Sequence, residues 1–141
     1  MFLRLLILVV ALGGTCNAVA QGSGGSSPPY TADGHIAIRS ISPPTSVQLK
    51  PGTIVRITVE FSYSHAVSEA RADLVIQEPA PSYGPIQRTS VKLSQPMGMA
   101  RLSAEFVVPK TRTITVFLPL YTDLRQGTST VDSRVYEVEA E

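Results

Sequence analysis

The side chains best suited to chemistry in this sequence are soft metal donors. Met97-Gly98-Met99 sets two thioethers two positions apart, and His35 and His65 are the chain's 2 histidines. Thioether and imidazole are the donors that Cu(I) prefers, so His65, Met97 and Met99 define a candidate copper site in a metal-handling protein. A structural reading competes with it. Gln95-Pro96-Met97-Gly98 has Pro second and Gly fourth, as a type I turn prefers, so the methionines would flank a hairpin loop. His65 would then sit in a separate loop over 64–69.

Recognition chemistry is concentrated in two other connections. Glu78-Pro79-Ala80-Pro81-Ser82-Tyr83-Gly84-Pro85 is held extended by its prolines, so little entropy is lost when it meets a partner. Tyr83 would present an amphipathic ring there. A second connection carries Tyr121 and Arg125, whose guanidinium suits a carboxylate or phosphate. Tyr83, Tyr121 and Arg125 would form one binding surface if both connections fall at the same end of the domain. The competing reading is a Tyr83 ring that covers the core and a solvated loop around Arg125.

Catalytic patterns are weaker. The sequence contains no HExxH or GxSxG motif, and its leader serines have no base or orienting group nearby. Glu60 and Glu105 could face each other across neighbouring strands, and a carboxylate pair serves glycoside hydrolysis. Glu, Arg and Thr alternating outward is also the ordinary solvated face of a sheet. The expectation is a non-enzymatic protein without a cofactor.

The elements that must position these residues are strands. Val55, Ile57, Val59, Phe61 and Tyr63 alternate with Arg56, Thr58, Glu60 and Ser62, the period-two pattern of a half-buried strand. Ala70, Ala72, Leu74 and Ile76 repeat it, as do Leu102, Ala104, Phe106 and Val108, and then Ile114, Val116, Leu118 and Leu120. A weaker strand is expected near 86–93, and a seventh around 131–138. The first strand, with Ile36 and Ile38, is interrupted by Pro43 and Pro44 and resumes at Val47 and Leu49, as an edge strand tolerates. Lys50-Pro51-Gly52-Thr53 is a type II turn signal. No stretch combines helical spacing with helix caps.

About seven short strands in roughly 100 residues predict an all-β, antiparallel sandwich of immunoglobulin-like or fibronectin type III-like size, over residues 35–141. The resemblance is one of architecture alone, because the Cys…Trp…Cys core of antibody domains is absent. With 141 residues, 43% hydrophobic, one domain is the natural expectation. A formal net charge of +1 without a basic block excludes a nucleic-acid footprint.

Residues 1–20 read as a signal peptide: Arg4, the apolar run Leu5 to Leu12, and Ala18-Val19-Ala20 before Gln21. That run is too short to span a bilayer, for which about 20 residues are needed. Cys16, the chain's 1 cysteine, poorly fits a lipidation site, since Thr15 precedes it and Leu12 lies one residue too far upstream. Residues 21–34 form a flexible Gly/Ser/Pro-rich leader. The only Asn is Asn17, so no glycosylation sequon follows, and a bacterial periplasmic or secreted protein is expected. The preferred expectation is an exported module that binds a protein or glycan partner through its end loops. Metal handling is the alternative. A structural module assembling through edge strands is a third, disfavoured at the terminal strand by Arg134, Glu137, Glu139 and Glu141.

Overall fold

The computed structural model describes residues 34–79, 84–122 and 130–140. The expected export segment lies outside these residues, as does all of the expected leader except Gly34. Among the described residues no helix is long and apolar enough to cross a membrane.

Seven strands follow one another: β1 (Gly34–Ser42), β2 (Ile54–His65), β3 (Ala70–Gln77), β4 (Pro85–Leu93), β5 (Met97–Val107), β6 (Thr113–Tyr121) and β7 (Thr130–Glu137). They form two antiparallel sheets, ordered β1-β2-β5 and β4-β3-β6-β7. Each sheet turns its alternating apolar face inward. Ile57, Val59 and Phe61 from β2 meet Leu74 and Ile76 from β3 and Ile114, Val116 and Leu118 from β6, all fully buried in one core. The result is an all-β sandwich, as the period-two pattern predicts.

Local sequence explains the joints. Gly52 has φ of +77° and Thr53 N–H donates to the Lys50 carbonyl at 3.3 Å, so the type II turn forms where Pro51-Gly52 specifies it. The first strand does not resume after its prolines. Instead Leu49 makes an isolated parallel bridge to Val138 on the other sheet, and Val47 remains exposed. Pro43 and Pro44 cannot donate to a ladder, and the chain crosses between sheets there.

The Pro96 turn differs from expectation. β4 and β5 belong to different sheets, so the connection is a crossover and not a hairpin. Met97-Gly98-Met99 lies within β5 itself. Gly98 is opposite Tyr63, and a Cβ added to it would lie 3.2 Å from the Tyr63 hydroxyl. The glycine thus makes room for a cross-strand aromatic ring.

The two sheets are also tied at their edges by side chains. Asp132 Oδ2 accepts the Ile38 N–H at 2.8 Å, Arg134 Nη2 donates to the Ile38 carbonyl at 3.4 Å, and the Tyr136 hydroxyl donates to the Pro43 carbonyl at 2.5 Å. On the opposite side, Gln87 Nε2 donates to the Glu105 carbonyl at 3.2 Å and Thr89 Oγ1 to the Ser103 carbonyl at 3.2 Å.

Candidate functional site

β3 and β6 are antiparallel neighbours with Arg71 opposite Tyr121 and Gln77 opposite Thr115. Inward residues alternate through Ala72, Leu74 and Ile76, so Arg71, Asp73 and Val75 occupy the outer face. There the Arg71 guanidinium carbon lies 4.5 Å from the centroid of the Tyr121 ring. This is a cation–π geometry, and it orients both side chains.

Beneath the guanidinium is a carboxylate that water barely reaches. Asp73 is 1% exposed, with Arg71 Nε 2.9 Å from Oδ1 and Arg88 Nε 3.7 Å from Oδ2. Neither carboxylate oxygen receives an aligned hydrogen bond from a protein donor, so charge rather than directed N–H bonding holds the group. One buried negative charge thus anchors two half-exposed guanidiniums on the surface. Val75 and Phe117 are cross-strand partners beside them, and Val131 and Val135 on β7 are exposed on the same outer face. Aromatic, arginine and aliphatic side chains therefore share one side of the four-stranded sheet, the composition typical of interface anchors.

Of the residues expected to make contact, Tyr121 lies on this face with its ring held in place by Arg71. Tyr83 and Arg125 lie outside the described residues. The connection that carries Tyr83 leaves β3 at Gln77, level with Thr115. The one that carries Arg125 leaves β6 at Tyr121, level with Arg71. Their roots are consequently at opposite ends of the sheet. A single surface at one end, built from both connections, is not what this topology provides, because antiparallel neighbours send those two exits in opposite directions.

The candidate metal donors are placed as follows. His65 is the last residue of β2 rather than a loop residue, and it is 6% exposed. Its Nδ1 lies 2.9 Å from the Val67 carbonyl, which can only accept, so Nδ1 carries the proton and Nε2 is buried without a partner. The ring stacks on Tyr63 at 6.0 Å and 12°. Met97 and Met99 are opposite Ser64 and Ser62, and are 70% and 61% exposed. The register puts both thioethers on the outer face and the His65 ring on the inner one. A shallow depression of about 430 Å³ at this end of the sheet is bordered by His35, His65 and Met97. Among the described residues no three His, Cys, Asp or Glu side chains converge on one point.

Glu60 and Glu105 do share the outer face of the three-stranded sheet, but they do not face each other. Arg101 is opposite Glu60 and Arg56 is opposite Glu105. Arg56 Nη2 lies 3.2 Å from Glu105 Oε2, and Arg101 Nε donates to Glu60 Oε1 at 3.1 Å. The Arg101 hydrogen bond and charge hold the Glu60 carboxyl below its usual range. Each carboxylate is neutralised by its own arginine, so the pair needed for acid–base work does not form.

Arg71 and Asp73 were not legible as a site. Their spacing reads as an ordinary polar face of β3, and Tyr121 is 50 positions away. Only the β3–β6 register brings them together. No known family model, curated protein or solved structure matches this chain.

Proposed function

We propose that this chain is an exported, non-enzymatic binding module that takes a protein or glycan partner on the outer face of its four-stranded sheet. The observation that carries the reading is the Arg71 guanidinium stacked on Tyr121 and tethered to the buried Asp73. A guanidinium and an aromatic ring that are fixed before contact lose little entropy on binding, and they offer both an apolar surface and a bidentate donor. Phe117, Val131 and Val135 extend the same face.

The strand order supports a fibronectin type III-like variant of the sandwich. In the constant-type immunoglobulin arrangement the fourth strand joins the first, second and fifth, whereas here β4 pairs with β3. Export rests on the N-terminal Arg4, the Leu5 to Leu12 run and Ala18-Val19-Ala20.

The test is capture from a bacterial envelope extract, followed by titration of the purified partner against wild type and variants. Tyr121→Ala and Arg71→Gln each weaken the partner by about tenfold or more while leaving the circular dichroism spectrum intact. Equal affinity for all three proteins overturns the assignment of the surface.

A further inference from the structure

Two of the four sheet edges, β1 and β5, take side-chain bonds from a strand of the other sheet, and the bonds are specific. Ile38 on β1 is bonded by Asp132 and Arg134 of β7. Ser103 and Glu105 on β5 are bonded by Thr89 and Gln87 of β4. The first half of β5 has no such cover among the described residues. The parity of the strand identifies which groups are free. The Ser103 and Glu105 carbonyls point away from β2, and N–H and C=O groups of residues two apart point to the same side. The odd-numbered Met97, Met99 and Arg101 therefore also turn their backbone groups away from β2. Consistent with this, the even-numbered Pro96 directs its carbonyl to β2 and accepts His65 N–H at 2.8 Å. Over Met97–Arg101 the edge thus carries a run of unpaired donors and acceptors, which is a template for another strand.

We infer that this edge pairs with the same edge of a second copy of the chain, antiparallel and centred on Met99. In that register Met99 is opposite its symmetry mate, and Met97 is opposite the mate's Arg101. Every free N–H and C=O of Met97, Met99 and Arg101 then finds a partner, and no other antiparallel register uses them all. The interface is isologous, as a two-fold dimer requires. Side chains agree with it on both faces. Gly98 falls opposite the mate's Ala100 in the closely spaced, non-hydrogen-bonded positions, where small residues let the backbones approach. On the outer face Met97 and Met99 of both copies come together, covering thioethers that are 70% and 61% exposed in the single chain. Charge raises no objection, because Arg101 is bonded to its own Glu60 and meets a methionine rather than the mate's arginine. The pairing joins two three-stranded sheets into one continuous sheet. It is independent of the partner surface proposed above, which lies on the other sheet.

Sedimentation of the purified chain over a range of concentrations reads the mass directly, and the expected result is twice the monomer mass. Met97→Lys/Met99→Lys raises the dimer dissociation constant by at least about tenfold without altering the β-sheet circular dichroism spectrum. Register is read by oxidative crosslinking in a Cys16→Ser background. Met99→Cys forms an intermolecular disulfide, whereas Met97→Cys, whose opposite residue is Arg101, does not. A monomer at every concentration, a dimer indifferent to the lysine variant, or equal crosslinking of both cysteine variants overturns the inference. A monomer that instead binds a synthetic extended peptide at this edge overturns it in favour of a different occupant.

Discussion

The Asp132 carboxylate reaches from β7 to the opposite sheet and accepts the Ile38 backbone N–H at 2.8 Å. It holds an edge-strand donor that would otherwise be exposed to pairing, and it does so with a side chain whose own charge is met by Arg134 at 2.9 Å. A charged residue in the last strand thus protects the first.

Removing that acceptor leaves the Ile38 N–H half-buried and unpartnered. Asp132→Ala is expected to destabilise the domain by about 1–3 kcal/mol, measured as a lower urea midpoint at unchanged slope. Burial pushes the Asp132 carboxyl up, but the Ile38 and Ser133 N–H bonds and the Arg134 charge outweigh it and hold the group below its ordinary 3.8. A carboxyl lowered in the folded state stabilises it above the unfolded value, and the benefit is lost as pH falls through the folded one. The stability gap between wild type and Asp132→Asn therefore narrows as pH drops below 3.8.

Tyr136 acts at the other end of the pH scale. It is fully buried and donates to the Pro43 carbonyl, and burial pushes its hydroxyl up to about 12. A raised value means the folded state holds the proton more tightly. Its contribution is complete below pH 10 and is lost as pH rises from there toward 12. Tyr136→Phe loses about 0.5–1.5 kcal/mol at neutral pH through the missing hydrogen bond. The variant also lacks this part of the alkaline loss, which parallel urea titrations at pH 8 and pH 11 would detect.

Gly34 tests how closely β1 meets its surroundings. A Cβ at this position would lie 2.6 Å from the Ser64 carbonyl oxygen and 2.8 Å from Leu120 Cδ2. Backbone cannot yield as a side-chain tip can, so Gly34→Ala is expected to destabilise by about 1–3 kcal/mol. A thermal midpoint equal to wild type would show that β1 is free to move.

The Arg71–Asp73 pair separates a binding role from a folding one. Arg71→Ala strips the nearest cation from a buried carboxylate and is expected to destabilise by about 1–3 kcal/mol, less than for a fully buried pair because the guanidinium is partly solvated. Adding Asp73→Val to the same chain removes the stranded charge and restores most of the loss. Urea midpoints of the single and double variants decide it, with no recovery counting against the electrostatic account.

Most of the architecture was already legible in the residues. Strict alternation in 55–63, 70–76, 102–108 and 114–120 identified which side chains face the core, because a strand's period of two leaves no other arrangement for them. Pro51-Gly52 specified its turn for the same local reason. The Pro43-Pro44 interruption was legible, but the strand expected to resume at Val47 and Leu49 ends at Ser42, and Leu49 bridges to Val138 instead.

What alternation cannot state is which strand lies beside which. That choice belongs to long-range packing and is made jointly by both sheets. It decided that Glu60 meets Arg101 and not Glu105, and that His65 and the two methionines turn to opposite faces. It also decided that Arg71 and Tyr121 become neighbours, and that Asp132 reaches Ile38. Local residue types determined the strands and their faces; only the tertiary register, through antiparallel pairing at a fixed spacing, determined the contacts on which any site depends.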